Sequence, residues 1–574
     1  MAELNYLVGG EAGQGVQTVG ALLSKIMARH GLYVFSDQDY ESRVRGGHSF
    51  FRIRISQVPV GAISEDLDVL IGLDQRTIEI HQSELKKDGV IIYDPDKVKT
   101  QITGSQLIGI PFEKIAVEAC GNKVMANSVA IGAAVAVGGY DLQEALTQVF
   151  NEQFARLGVD IVEGNQKAAR AGYDQIKKQP DFIKKSLGSS SNKMMLVDGN
   201  TAAGIGAMAA GCKFVSGYPM TPTSPILEYI ADKGRSYNVI MLQPEDEIAA
   251  INMVIGASYA GVRAMTATSG GGFCLMVEGL SLAGMTETPV VCILGQRPGP
   301  AIGLPTRTEQ GELLFSLFSG HGEFPRAVLT PATIEDYFYT TVKAFNLADK
   351  YQVPVIVLTD QHLGASLQTV NPFDLGKVMI DRGELISEDD RKHDEYKRYQ
   401  YSESGISPRA IPLPGGPLVV IDSDEHNEEG HIIEDAETRT NMMDKRLRKI
   451  RGLVKEITPP WYSERPGANI LLIGWGSTFG AISEAADLLE KDGIHASVLQ
   501  LTQVWPFPAE QVTGALSKNE MKTFVVENNA TGQLAKLIRA ETGIATESIL
   551  KYDGRPFSPS VIVKAVEKEV KKTW

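Results

Sequence analysis

The sequence predicts an α/β protein of three α/β domains, and three observations carry that reading. Short β-rich runs alternate with helix-length stretches through most of the chain. Several of those runs are continuously apolar, as strands are when helices cover both faces of a parallel sheet. The length, 574 residues, exceeds what one hydrophobic core usually serves.

Taken in order, "LNYLVGG" reads as a strand, "GGEAGQG" (Gly9 to Gly15) as a glycine-rich turn and "QTVGALLSKIMARHG" as a helix. The strands "YVFSD", "FFRIRI", "LDVLIGL" and "GVIIYD" follow, giving a first domain over residues 1–185. It closes at "QPDFIKKSLGSSSNK" (179–193), whose basic and Gly/Ser-rich composition reads as a linker. A second domain, 194–370, contains "KFVSGYP", "NVIMLQ", "AMTATS", "PVVCILG" and "VPVIVLTD" as strands. Residues 371–466 form a charged connector, in which "PLVVID" and the helix-like "RTNMMDKRLRKI" argue for order rather than disorder. A third, smaller domain, 467–574, carries "NILLIGWGS", "HASVLQL" and "KTFVVEN".

Charge and composition exclude several classes. Seventy acidic against 56 basic residues give a net charge of -14, the wrong sign for a nucleic-acid footprint. The longest apolar run, "VAIGAAVAVGG", falls short of the roughly 20 residues of a membrane span. No signal-peptide pattern opens the chain, so the expectation is a cytoplasmic protein with no membrane partner. The four cysteines, Cys120, Cys212, Cys274 and Cys292, form no C-x-x-C pair. An iron-sulfur cluster held within this chain is therefore excluded, and the cysteines read as buried thiols.

The chemistry concentrates between residues 216 and 308. In "SGYPMTPTSP", Pro219 and Pro222 restrict Met220 and Thr221 to an extended turn that preorganises the Thr221 hydroxyl at the carboxyl end of a strand. In "QPEDEIAAI", Glu245 and Asp246 complement a helix dipole, whereas Glu247 enters the apolar part, where a desolvated carboxyl can hydrogen-bond a heteroaromatic nitrogen. "TATSGGGF" reads as a strand-to-helix loop with open amides around Ser269 and Gly270. Ala267 stands where a hydrolase elbow needs glycine, which disfavours a serine hydrolase. Arg297 and Arg307 lie in Gly/Pro-rich loops that would often leave an arginine merely solvated, but the stiff "GLPTRT" context makes Arg307 a receptor for a substrate carboxylate.

Two further stretches are ambiguous. "GGEAGQG" is spaced unlike the dinucleotide fingerprint, and with Asp37 at a plausible ribose distance it divides evenly between a phosphate contact and a structural turn. "DEHNEEGHIIED", with His426 and His431, reads as a solvated or interface loop before a metal site.

Together "GYPMTPTS", "EDEIAAI", "TSGGG", "AGMTETP" and "GLPTRTEQG" resemble the alpha subunit of 2-oxoacid:ferredoxin oxidoreductases. "GWGSTFGAISEA", "WPFP" and "VENNATGQL" are similar to the rest of that subunit, and "GGEAGQGV" with "ESRVRGGHS" resembles the family's gamma domain, fused in front. The resemblance implies a gamma domain, a thiamine diphosphate pyrimidine-binding domain and a transketolase C-terminal-like domain, in that order. It implies that Glu247 bonds the aminopyrimidine N1′, promoting deprotonation at thiazolium C2, that Thr221 contacts the 2-oxo acid, and that Arg307 pairs with its carboxylate. Ser269 and Gly270 would line the cofactor.

Gly271 stands where the family commonly has proline, and Met220 where it has isoleucine. No GDG motif occurs, and "VDGN" (Val197 to Asn200) is a partial decoy at a helix start. The resemblance therefore implies that Mg2+ and a [4Fe-4S] cluster sit in a beta subunit, within a dimer of heterodimers that uses CoA and delivers electrons to ferredoxin. The expected activity is conversion of a 2-oxo acid, 2-oxoglutarate before pyruvate or branched-chain acids, to its acyl-CoA and CO2. A non-catalytic scaffold paralogue and a stand-alone thiamine decarboxylase or synthase are the alternatives.

Overall fold

The structure, a computed structural model, describes residues 3–42, 46–99, 106–386, 396–413, 416–518 and 521–571. Arg43 to Arg45 of "ESRVRGGHS" and the charged stretch 387–395 lie outside these residues. The described chain divides into two compact units, Met1–Val197 with Ala365–Pro372, and Asp198–Gly364 with Phe373–Trp574.

The first unit is built on an eight-stranded sheet. Strand Glu3–Ala12 lies at its middle, parallel to Leu67–Gly72 and antiparallel to Gly46–Ser56. One half of the sheet is thus parallel, and the other half, through Tyr33–Asp39, is antiparallel. Leu367–Val370 adds to the antiparallel edge, although the sequence reading placed it in the second domain. Helix Val16–Arg29 and the largely apolar helix Ala126–Val137 bury Val19, Leu23, Ile131 and Val135 against the sheet.

The second unit holds a seven-stranded and a five-stranded sheet. In the larger sheet Arg263–Ser269, Val290–Gln296 and Pro354–Asp360 are parallel neighbours, and every residue of each is buried. The continuously apolar runs have this cause: helices cover both faces. Cys212–Ser216 flanks Arg263–Ser269, and Gln503–Trp505 closes the far edge antiparallel. The smaller sheet centres on Ile470–Trp475 between Ala496–Leu501 and Lys522–Glu527. Ile251, Phe273, Met276, Leu294 and Ile356 of the larger sheet's layers join Trp475, Leu499 and Val525 of the smaller in one apolar core.

The connector is ordered around a helix, Ala436–Lys455, that contains the helix-like stretch of the sequence, whereas "PLVVID" forms no strand. The helix is anchored by charge. Lys445 Nζ donates to both Glu287 carboxylate oxygens at 2.7 and 2.9 Å, Lys449 reaches Glu287 at 2.5 Å, and Arg398 donates to the Glu287 backbone carbonyl at 2.7 Å. Among the described residues no helix is long and apolar enough to cross a membrane.

Candidate active site

Three adjacent parallel strands, Cys212–Ser216, Arg263–Ser269 and Val290–Gln296, end on one edge, and the residues singled out from sequence follow their carboxyl ends. After the first, the chain enters the proline-rich segment. It is not extended: Thr223 N–H donates to the Met220 carbonyl at 3.0 Å, its hydroxyl donates there at 3.1 Å, and the Thr221–Pro222 peptide is cis. A hydrogen-bonded four-residue turn with cis-proline third is the type VI arrangement. The turn rests on Gly295, where a Cβ would lie 2.5 Å from Thr223 Cγ2 and 3.0 Å from Pro222 Cγ. Arg297 Nη1 donates to the Thr221 carbonyl at 2.8 Å, and Asn200 Nδ2 to the Pro222 carbonyl at 3.0 Å.

The expected loop at "TSGGG" does not exist. The strand ends at Ser269 and helix Gly270–Met285 begins at the next residue. Ser269 sits at the N-cap, yet its buried hydroxyl neither caps the helix nor finds another partner among the described residues; the Thr268 hydroxyl is likewise buried and unpartnered. Facing them is Glu247. Asp246 caps helix Glu247–Tyr259 by accepting from Ala249 N–H at 2.8 Å, which fixes Glu247 in the first turn with its side chain buried. Glu247 Oε1 has no hydrogen-bond partner among the described residues. Gly272 makes the approach of the two helices possible, because a Cβ there would lie 2.1 Å from Thr268 Oγ1 and 2.6 Å from Glu247 Oε1.

The two arginines sit in different surroundings. Arg297 is buried and tied to Thr221, whereas the half-buried Arg307 lies against the C-terminal domain, its stem 3.2 Å from a Cβ placed on Gly554. The structure thus brings Thr221, Ser269, Gly270 and Glu247 to one edge, and places Arg297 next to Thr221. Beyond Arg307, Gln310 N–H donates to the Asn528 carbonyl at 2.7 Å and Asn528 N–H returns a bond to Gln310 Oε1 at 3.0 Å, stitching the segment to the third domain.

One site residue escaped the sequence reading. Glu312 N–H donates to Gln296 Oε1 at 2.9 Å, and Glu312 Oε1 lies 2.5 Å from a Cβ built on Gly270. Its Oε2 is buried and without a partner among the described residues. Burial, and then Glu309, push its carboxyl up to about 8 against the pull of Arg297. The signal was the one used for Glu247, an acid opening an apolar helical run, here "LLFSLF".

Other candidates separate from this edge. Asp198 of "VDGN" caps helix Gly199–Ala209, accepting from Thr201 N–H at 2.8 Å. His426 is not in a solvated loop: it is fully buried, its ring 3.9 Å from that of Tyr399, with Nδ1 2.9 Å from the Asp424 carbonyl. No group of three metal-ligating side chains occurs among the described residues. Cys212 and Cys292 are buried thiols pushed up to about 12 by burial, but Cys274 is exposed, contrary to expectation. In the first unit, Gly13 and Gly15 adopt φ of 94° and 80° and border a cavity of about 500 Å³ with Gln38 and Tyr40. Asp37 alternates to the other side of its strand, opposite Arg52, and Glu11 and Glu41 set two carboxylates beside any phosphate placed in the cavity.

Comparison with known proteins agrees with this architecture. The model for the thiamine diphosphate-binding region of pyruvate flavodoxin/ferredoxin oxidoreductases matches residues 205–445, that for pyruvate ferredoxin/flavodoxin oxidoreductase matches 5–175, and that for core domain II of pyruvate:ferredoxin oxidoreductase matches 468–562. The 2-oxoacid:ferredoxin oxidoreductase subunit alpha of a Sulfolobus species is 34% identical over 99% of this chain and 97% of its own. The 2-oxoglutarate synthase subunit KorA of Archaeoglobus fulgidus is 34% identical over 66% of this chain and all of its own. Among solved structures, the 2-oxoglutarate:ferredoxin oxidoreductase from Magnetococcus marinus, with 2-oxoglutarate, coenzyme A and succinyl-CoA bound, superposes with a TM-score of 0.90 at 31% identity, covering 99% of this chain and 100% of that one. With relatives this similar along its whole length, the chain belongs to the 2-oxoacid:ferredoxin oxidoreductase family as an alpha subunit carrying a fused gamma-like domain, and is one subunit of a multi-subunit enzyme.

Proposed function

We propose that this subunit supplies the pyrimidine half of a thiamine diphosphate site and the 2-oxo acid pocket of an enzyme that converts 2-oxoglutarate and CoA to succinyl-CoA and CO2, reversibly, with ferredoxin taking the electrons. The single observation that carries the reading is Glu247, whose buried carboxylate oxygen Oε1 has no partner among the described residues, at the carboxyl edge of a parallel sheet. A buried polar atom is ordinarily satisfied, so this one fits an acceptor or donor on a bound aminopyrimidine. The unpartnered hydroxyls of Thr268 and Ser269, and the side-chain-free surface of Gly270 and Gly272, fit a flat ring beside it.

When bound, thiamine diphosphate supplies a carbon nucleophile for the 2-oxo carbon and a sink for the electron pair released with CO2. Glu247 holds a proton at the aminopyrimidine N1′ and moves it during activation. Ser269 and Gly270 line the cofactor and exclude water. The Thr221 hydroxyl, held by its turn and Arg297, orients the 2-oxo acid, and Arg307 pairs with its carboxylate.

Residues 1–185 act as the gamma domain, 194–370 bind the pyrimidine, 371–466 connect, and 467–574 form the transketolase C-terminal-like domain. A beta subunit brings Mg2+, the diphosphate-binding groups and the [4Fe-4S] cluster, in a cytoplasmic dimer of heterodimers. The exposed apolar side chains of Ile248, Met253 and Leu275, on the two helices that carry Glu247 and Gly270, support docking of that subunit over the site. The Magnetococcus marinus structure with bound 2-oxoglutarate and the relatives named 2-oxoglutarate synthase support the substrate choice.

The test is a panel of 2-oxo acids offered to the complex copurified with its partner, following CoA-dependent reduction of a low-potential dye. The highest kcat/KM is expected with 2-oxoglutarate. A preference for pyruvate or branched-chain acids would replace the substrate, and no reduction with any acid would favour the scaffold paralogue.

A further inference from the structure

We propose that Glu312 is a proton-bearing hydrogen-bond donor of the active site, presenting a neutral carboxylic acid through Oε2 to an oxygen of the 2-oxo acid. The inference rests on the reading of the site given above and adds a second acid to it, distinct from Glu247 in position and in role.

The geometry places Glu312 by its backbone. Its N–H is tied to Gln296 Oε1 at 2.9 Å, Gln296 Nε2 is tied in turn to the Thr359 carbonyl at 3.0 Å, and Leu314 N–H is bound to Gln533 Oε1 at 2.9 Å. The carboxyl group is thereby pressed against Gly270, the first residue after Ser269. Gly271 in the same turn lies against the proline-rich segment, a Cβ there being 4.0 Å from Met220 Sδ. Glu312 therefore stands beside the helix start assigned to the cofactor, and its backbone is tied to Gln296, the residue before the Arg297 that holds the Thr221 carbonyl.

A purely structural carboxylate at such a place would be paired. Oε2 is buried and has no partner among the described residues, and Arg297, the neighbouring cation, directs its Nη1 to the Thr221 carbonyl. The charged and titratable groups facing Glu312 are Glu309 on its own segment, Arg297 from the end of the neighbouring strand, and Cys274 on the helix, whose own thiol is raised by burial and by Glu312. Burial and the Glu309 charge disfavour ionisation more than Arg297 favours it, so the carboxyl keeps its proton at neutral pH. The chemical consequence is selective. An ionised carboxylate would repel an incoming 2-oxo acid, which is itself an anion, whereas a neutral acid can donate to its oxo or carboxylate oxygen.

The test uses the assembled enzyme. Infrared difference spectra between wild type and Glu312→Gln at neutral pH should contain the carbonyl stretch of a protonated carboxylic acid, lost as pH rises through about 8. In parallel, KM for the 2-oxo acid should rise up to about tenfold per pH unit above that point in wild type. Glu312→Gln, which keeps a neutral donor, should raise KM modestly and flatten the profile; Glu312→Ala should raise KM at every pH. An ionised Glu312 at neutral pH, or a KM profile in Glu312→Gln that superimposes on wild type, overturns this inference while leaving turnover of 2-oxo acids, and the site reading, intact. A protonated Glu312 in an enzyme that turns over no 2-oxo acid overturns the site reading and removes the acceptor proposed here.

Discussion

Arg297 Nη1 donates to the Thr221 backbone carbonyl at 2.8 Å, across 76 residues of sequence. The bond adds to the turn's own closing bond between Thr223 and Met220. A hydrogen bond from a charged donor contributes about 1.5–3 kcal/mol, and a side chain positioned by such a bond loses its alignment when the bond is cut. Arg297→Ala is expected to lower kcat/KM for the 2-oxo acid by about 10- to 100-fold. In a Thr221→Ala background the same change should cost much less. Equal losses in both backgrounds, measured by steady-state kinetics, would show that Arg297 does not act through Thr221.

Glu247→Gln keeps the size of the side chain but removes the group that can gain and lose a proton. Oε1 is buried and has no partner among the described residues, so the variant should still fold and still accept the cofactor. Exchange of the cofactor's C2 hydrogen, followed by NMR after rapid quench, should slow by about 100-fold or more, the usual weight of acid–base catalysis. Undiminished exchange would remove Glu247 from that role.

The reach of the sequence follows from how each feature is encoded. Strands such as Val290–Gln296 and Pro354–Asp360 are legible because burial on both faces forces continuous apolar runs. Ala327–Leu329, Leu367–Val370 and Gln503–Trp505 are too short for a pattern and exist through pairing with distant segments. Three prolines announce a stiff turn at Thr221, but neither the bond that closes it nor the arginine that holds it leaves a local trace. Glu247 is legible as an acid entering an apolar helix. Glu312 carries the same signature in "GELLFSLF", close behind the more conspicuous Arg307. Cys274 looks like the buried Cys212 and Cys292, since exposure on an apolar helix depends on what covers that face.

Arg307→Ala tests the carboxylate receptor. The arginine's stem packs beside Gly554, so truncation removes packing as well as charge, and Arg307→Lys serves as the control that keeps the charge without the planar fork. KM for the 2-oxo acid should rise by about tenfold or more in Arg307→Ala, with partial recovery in Arg307→Lys. Affinity for thiamine diphosphate, by calorimetric titration of the assembled enzyme, should stay within about twofold. Parallel loss of both affinities would place Arg307 in the scaffold rather than at the substrate.

Glu287 anchors the connector helix as the single carboxylate between Lys445 and Lys449, all three side chains being almost fully buried. It is held at φ 49°, which a non-glycine residue adopts only when its surroundings fix it. Burial alone would raise its carboxyl, but Lys445, Lys449 and Arg398 more than reverse that and hold it well below the ordinary value of 4.5. A carboxyl depressed in the folded state stabilises it above the unfolded value, and that contribution is lost as pH falls through the window below 4.5. Glu287→Gln leaves two buried cations facing a neutral amide, which should destabilise the fold by about 3–5 kcal/mol. At neutral pH the denaturation midpoint should fall accordingly, whereas on acidification the wild type should lose stability faster than the variant, so that the two curves converge. Curves that stay parallel across that window would show that the Glu287 carboxylate is not what couples this helix to the domain.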